Sequence, residues 1–225
     1  MILQVLCTGS DGNAYVLEHD NSYLMLDCGG HSDDIYRAVG YNTAALSGCL
    51  VSHEHKDHSK NMEFLRKQFV YVEQAKGCEM GVMGDWKYFS FDLEHDVPNV
   101  GYIIQNKKDT DNIVCYITDT GYIRYNPIGV RTYIIECNFV EELFDGTQDE
   151  KERRLRVYKT HLSLKRLLSF LDKADLSNLN TIVLVHLSDK YSDEQMMIDE
   201  VKKKTGVNVY AAHAGDVIDL NIVPF

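Results

Sequence analysis

Apolar and polar positions along the chain follow two periods. Residues 2–8, 14–19 and 22–27 have strand-like patterning and are parted by the turn-rich segments Gly9-Ser10-Asp11-Gly12-Asn13 and His19-Asp20-Asn21, which predicts a three-strand meander. A short helix is expected over 32–39 and a buried strand over 48–51. Met62, Leu65 and Phe69 recur at i, i+3 and i+7, so a helix is expected over 58–68. Strand and helix signals alternate to about residue 84, after which 87–91, 100–106 and 112–118 read as strands of a second sheet, with 107–111 as a polar hairpin tip. Residues 132–136 form another strand, and 139–156 read as a helix interrupted near Gly146. Leu164, Leu167, Leu168 and Leu171 define an amphipathic helix capped by Ser163, and 182–185 is a continuous apolar strand. Ser192-Asp193-Glu194-Gln195 is a capping-box pattern that opens a helix to about Lys204, and strands at 207–210 and 216–220 follow. Helices after both groups of strands imply an α/β fold of two sheets packed face to face with helices outside.

Length adds that 225 residues suffice for one α/β domain, and with 3 prolines and no Gly/Ser-rich linker a single domain over 1–225 is expected. No apolar run approaches the roughly 20 residues of a membrane span, and the start of the chain lacks the basic flank of a signal peptide, so a cytoplasmic protein is expected. Six cysteines are scattered singly and read as small buried thiols. A net charge of −11 argues against nucleic acid at first, but Lys151, Arg153, Arg154, Arg156, Lys159, Lys165 and Arg166 cluster in a short stretch whose single acid is Glu152. That local basic stretch restores a phosphate-bearing partner as a candidate.

The chemistry is densest at residues 53–58, His-Glu-His-Lys-Asp-His, between an apolar strand end and a helix. In an extended loop His53 and His55 point the same way and can share one ion. Asp57 and His58 then fall in the first helical turn, offset toward a second ion. His95, Asp119 and His186 stand in matching strand-end contexts as further ligands. Imidazole and carboxylate donors without thiolate suit zinc, manganese or iron in a catalytic site. His213 reads as structural, and His19 and His31 have no ligand context.

Asp27 after Tyr23-Leu24-Met25-Leu26, the His53–His58 run, His95, Asp119 after Val114-Cys115-Tyr116-Ile117-Thr118, and His186 resemble, in order, the motifs of the metallo-β-lactamase superfamily. His55 stands where flavodiiron relatives carry Glu, which favours hydrolysis. Gly9–Ala14, His95-Asp96-Val97-Pro98 with Gly101-Tyr102, residues 116–121 and His161-Leu162-Ser163 are similar to the small YycJ-type proteins, themselves similar to ribonuclease Z and PhnP-type phosphodiesterases. One departure stands out: the YycJ-type pattern places Asn-His-Asp after the glutamate strand, whereas here Glu136-Cys137-Asn138 runs into Phe139-Val140.

The resemblance implies a four-layer αββα sandwich of two mixed sheets. It implies two divalent ions per chain, zinc or manganese, one held by His53, His55 and His95, the other by Asp57, His58 and His186, with Asp119 bridging. Asp27 would orient ligand imidazoles. A hydroxide shared by the ions would be the nucleophile of a phosphodiesterase acting on nucleic acid, in an exonuclease-like manner, or on small nucleotide diesters. Asp57 and His161 are the catalytic candidates, His161 as the acid that protonates the leaving group. An ester, thioester or lactone hydrolase using the same ions is the competing reading, and a metal-stabilised binding protein a third; a homodimer would be in keeping with related hydrolases. The Gly9–Asn13 loop could meet a phosphate through backbone amides.

Overall fold

The structure is a computed structural model that describes residues 1–74, 76–143 and 148–221. Its first sheet contains β1 (Ile2–Cys7), β2 (Ala14–His19), β3 (Ser22–Leu26), β4 (Leu46–Leu50) and β5 (Val72–Glu73), with β13 (Val217–Asp219) beside β1. β1, β2 and β3 are antiparallel neighbours, the expected meander, and β3, β4 and β5 are parallel. The second sheet runs in the order β12-β11-β10-β9-β8-β7-β6, from β6 (Met80–Met83) and β7 (Trp86–Leu93) through β8 (Asn99–Asn106), β9 (Asp109–Ile117), β10 (Thr132–Glu136) and β11 (Thr181–Val185) to β12 (Asn208–Ala211). Here β6 to β9 are antiparallel and β9 to β12 parallel.

Period-two alternation builds the layers. Leu3, Val5, Leu24 and Leu26 of the first sheet meet Val114, Tyr116, Ile134, Val183 and Val185 of the second in one core between the sheets. The intervening residues face outward: Cys115, Ile117, Tyr133, Ile135, Ile182 and Leu184 pack under α5 (Leu164–Leu171) and α6 (Glu194–Thr205). On the other flank Val16, Met25 and Cys49 pack under α1 (Ser32–Ala38) and α3 (Met62–Lys67). The result is the expected αββα order of layers.

Several boundaries differ from the sequence reading. The helix expected over 58–68 is two pieces, α2 (Lys56–Ser59) and α3, because Asn61 turns inward and donates to the Cys28 and Gly30 carbonyls instead of continuing one helix. The hairpin tip is shorter than 107–111, since β9 begins at Asp109. Of the helix expected over 139–156, residues 141–143 form a 3-10 turn and α4 (Gln148–Thr160) runs on to residue 160; Gly146 lies outside the described residues. Asp193, not Ser192, caps α6 by accepting from the Met196 amide, whereas Ser163 caps α5 as expected. Cys28, Cys49, Cys115 and Cys137 are buried thiols, but Cys7 is half-buried and Cys78 exposed. Among the described residues no helix is long and apolar enough to cross a membrane.

Candidate metal centre

Loops at the carboxyl ends of parallel strands meet at one end of the sandwich. Asp27 follows β3, the His53–His58 loop follows β4, Asp119 follows β9, Glu136 ends β10 and His186 follows β11. Asp27, Asp119 and His186 have φ of 53°, 48° and 56°, a left-handed conformation that turns the chain sharply off each strand and is costly for a side-chain-bearing residue. Backbone packing under the site is tight: a Cβ on Gly29 would lie 1.5 Å from the Asp57 carbonyl oxygen. Only glycine lets the 27–30 loop pass there, so that the Cys28 amide donates to His58 O (2.7 Å) and the Asn13 amide to Asp57 O (2.6 Å).

The structure brings the predicted ligands into two groups sharing one carboxylate. One ligand atom each from His53, His55, His95 and Asp119 lie within 4.8 Å of one another, as do those of Asp57, His58, Asp119 and His186. Asp119 Oδ2 is 3.8 Å from His53 Nε2 and 4.0 Å from His95 Nε2, while its Oδ1 is 3.4 Å from His58 Nε2 and 3.7 Å from His186 Nε2. Asp57 Oδ2 lies 3.3 Å from His58 Nε2 and 3.7 Å from His186 Nε2. Most of these separations are long for hydrogen bonds. They approach the about 3.3–3.6 Å expected between two ligands bound at about 2.0–2.2 Å to one tetrahedral ion. His53 Nε2 and His186 Nε2 are buried with no hydrogen-bond partner, an arrangement that costs free energy unless a cation takes the lone pairs. These residues therefore fit divalent ions.

Far nitrogens of the rings are held in place. His58 Nδ1 donates to Asp27 Oδ2 (2.7 Å), and His95 Nδ1 donates to the Thr160 carbonyl (3.0 Å), which leaves Nε2 of each toward the cluster. Asp27 is fully buried and also accepts from the Ser52 amide, the Ser52 hydroxyl and the Tyr116 hydroxyl, so strands of both sheets converge on it. Asn13 Nδ2 lies 3.0 Å from His58 Nε2 and donates to Gly9 O, so the Gly9–Asn13 loop is tied to the site by a side chain.

Charge in the centre follows from burial and pairing. Burial lowers His53 to about 2, helped by the neighbouring His58, so its lone pair stays free. Burial would also lower His186, but Asp119, Asp57 and Glu136 outweigh it and raise the ring to about 10. His58 is raised in the same way, Asp119 and Asp27 outweighing burial. Burial would raise the Asp57 carboxyl, yet His186 and His58 hold it well below the usual range.

Glu136 was read from the sequence only as a strand end, and its role is larger. Fully buried, it accepts from His161 Nδ1 (2.6 Å) with one oxygen and from the Thr120 and Leu162 amides (3.0 Å each) with the other. It thus ties the Asp119 loop to the His161 loop. His161 stacks on His186 with centroids 5.2 Å apart, and the Glu136 carboxylate raises its pKa against the lowering effect of burial. The signal available in the sequence was a carboxylate closing an apolar strand, the pattern that marked Asp27 and Asp119. Asn138 sits beside His186, donating to its carbonyl at 2.8 Å, and where the YycJ-type pattern has His-Asp, Phe139 and Val140 are buried in apolar clusters.

The basic stretch divides. Arg156 and Lys159 line a cavity of about 450 Å³ with His95, Asp96, Glu152, Leu155 and Thr160. Arg166 does not belong to that face, because its guanidinium donates to the Gly121 and Tyr158 carbonyls. The side chains of Lys151 and Arg153 lie outside the described residues. His213 is exposed, 3.2 Å from Glu194, and neither His19 nor His31 belongs to a donor group.

A family profile described as Anti-Pycsar protein Apyc1 matches residues 7–83. The exodeoxyribonuclease YycJ of Bacillus anthracis is 27% identical over 170 residues, 62% of this chain and 63% of that protein, so the chain matches under two thirds of that relative's length. The exodeoxyribonuclease WalJ of Streptococcus pneumoniae is 25% identical over 253 residues, covering 97% of this chain and 91% of WalJ. Among solved structures, the metallo-β-lactamase fold protein YhfI from Bacillus subtilis superposes with a TM-score of 0.72 at 16% identity over 97% of this chain and 99% of its own. The short form of human tRNase Z gives 0.65 at 15% identity over 99% and 100% of the two chains, and a diphosphatase from the PhnP family 0.64 at 13% over 99% and 98%. The chain thus has the metallo-β-lactamase fold with His and Asp donors gathered in two groups that could each hold a metal ion, and it is similar in sequence to the exodeoxyribonucleases YycJ and WalJ.

Proposed function

We propose that this chain is a two-ion phosphodiesterase acting on nucleic acid or small nucleotide diesters. The observation that carries the reading is the Glu136–His161 pair beside the metal cluster, which supplies a proton donor that an activated ester does not require. Similarity to the exodeoxyribonucleases YycJ and WalJ and to the fold of the PhnP-family diphosphatase supports the same substrate class, and Arg156 and Lys159, beside Asp96 and Glu152 in the 450 Å³ cavity, offer cations to a phosphate.

His53, His55 and His95 would hold one ion and Asp57, His58 and His186 the other, with Asp119 between them. Bound ions would supply Lewis-acid polarisation of the phosphoryl group and an ionised water at neutral pH. The remaining steps belong to side chains. Arg156 and Lys159 attract the anionic substrate into the cavity beside His95. Glu136 holds His161 Nδ1, so Nε2 is the nitrogen that can meet the departing oxygen, and it passes its proton there as the phosphorus–oxygen bond breaks. The buried carboxylate stabilises the imidazolium before transfer and keeps the ring in position, as an orienting acid does in other His-based sites.

The test compares bis-p-nitrophenyl phosphate, single-stranded DNA, RNA and a thioester with zinc or manganese. Phosphodiesters should be cleaved and the thioester spared. His161→Ala should keep its ions yet lose roughly 10²–10⁴ in kcat on a nucleotide diester, and far less on the nitrophenyl ester, whose leaving group departs without a proton. Equal losses on both esters would remove His161 as the acid. A thioester cleaved in preference would replace the phosphodiesterase reading.

A further inference from the structure

Four of the five imidazoles that would hold the ions have an acceptor beside the nitrogen that faces away from the cluster. Asp27 takes His58 Nδ1, Thr160 O takes His95 Nδ1, Ser52 Oγ lies 3.0 Å from His53 Nδ1, and Glu136 Oε1 lies 3.5 Å from His186 Nδ1. His55 is oriented the other way round. Its Nδ1 is 3.3 Å from His95 Nε2, the spacing of two donors on one ion, so Nε2 is its far nitrogen. That Nε2 lies 3.3 Å from Asp96 Oδ1. The same oxygen is 3.1 Å from His95 Nε2, and Asp96 Oδ2 is 3.7 Å from the Arg156 guanidinium on α4.

We propose that Asp96 is the positioning residue of His55, accepting its Nε2–H and so fixing the tautomer that leaves Nδ1 for the first ion, with Arg156 anchoring the carboxylate from the substrate cavity. The proposal rests on the metal reading above. A carboxylate on the far nitrogen raises the basicity of a ligand imidazole and fixes its ring plane, as Asp27 does for His58. Direct ligation by Asp96 is the less economical arrangement. The first group already has four donors in His53, His55, His95 and Asp119, which with a water would make five, and a fifth protein donor would take the place left for that water. Arg156 then has two uses, since it lines the cavity and also holds Asp96. Substrate phosphate drawn to that guanidinium would compete with Asp96, linking occupancy of the cavity to the first ion.

Cobalt(II) reads both affinity and coordination. Wild type, Asp96→Ala, Asp96→Asn and Arg156→Ala are titrated with cobalt against a chelator, and visible spectra are recorded at saturation. In Asp96→Ala one of two ions should weaken about 10–100-fold, the other should keep its affinity, and the absorptivity per ion should stay as in wild type. Asp96→Asn, whose carboxamide oxygen still accepts a hydrogen bond, should recover most of the loss, and Arg156→Ala should fall between. Unchanged affinities in Asp96→Ala, or equal weakening of both ions, would overturn the proposal. A rise in absorptivity at saturation would do so too, because it would mark Asp96 as a lost ligand. Wild type that binds no cobalt would defeat the metal reading, and the proposal with it; two ions in wild type with a silent Asp96→Ala defeats the proposal alone.

Discussion

Replacing Asp27 by Asn isolates the charge of one carboxylate at the centre of the site. Asparagine tolerates the left-handed backbone at this position, where φ is 53°, so the substitution leaves the strand-end turn unstrained. Its Oδ1 can still accept from the Ser52 amide. The amide nitrogen, however, replaces an oxygen on which the Ser52 hydroxyl, His58 Nδ1–H and the Tyr116 hydroxyl converge. Both hydroxyls can rotate to accept. His58 can do so only by giving up its Nδ1 proton, which leaves any remaining proton on Nε2, the nitrogen that faces the second group. Each hydrogen bond to a charged acceptor is worth about 1.5–3 kcal/mol, so losing one and weakening two should cost about 3–5 kcal/mol. At about 2–4 °C per kcal/mol for a chain of this length, Tm should drop by about 6–20 °C. Thermal unfolding in excess chelator measures that loss, and chelator competition measures the second ion, expected to weaken about 10–100-fold while the first changes little. A variant within about 2 °C of wild type, with both affinities intact, would refute the role given to the Asp27 carboxylate.

Fresh wild-type protein should carry about two divalent ions by elemental analysis, and Asp119→Ala should reduce both occupancies, since its two oxygens face different groups; one ion or none in wild type would count against this. Loading the ion-free protein at pH 7 should release at least two protons per chain, because His186 is raised to about 10 and His58 is raised as well and a ligating imidazole must be neutral, with ionisation of a bound water adding to them. Affinity at that site should therefore tighten as pH rises toward 10, and calorimetry in buffers of different ionisation heat that finds no release would reject the assignment. Cleavage of a single-stranded polymer should weaken with salt, and replacing Arg156 and Lys159 by Ala should flatten the log–log slope of affinity by about 1.4, at about 0.7 per contact. An unchanged slope would remove the cavity from the polymer's path.

Much of this was legible in the sequence because ligands follow apolar strands. Strand ends at Leu26, Leu50, Ile117 and Val185 are marked by residues that cannot leave the core, and the polar residue that follows each is then conspicuous. Glu136 and Asp96 were not legible as site residues, since their significance comes from what lies opposite them. Glu136 acquires a role only when His161, 25 positions on, folds back onto it. Arg166 misled for the same reason: charge counted along the chain does not show that a guanidinium is spent on two carbonyls. The break between α2 and α3 was hidden as well, because Asn61 suits a helix surface until the Cys28 and Gly30 carbonyls come within reach.

The candidate donors come from both sheets, and this orders events during synthesis. Asp27 and the His53–His58 loop belong to the half of the chain that forms the first sheet, while His95, Asp119 and His186 are carried by the second. On a ribosome adding about 5–20 residues per second, the early donors are exposed on the order of ten seconds before His186 emerges. Until then His58 has Asp57 beside it but lacks His186, and the shared carboxylate of Asp119 arrives in between. An ion met early would be held by a partial, exchangeable set of donors, and tight capture must wait until the two sheets close. On the proposed two-ion reading, metal retention would thus report on completed folding, and slow ion exchange would separate finished molecules from chains still in assembly.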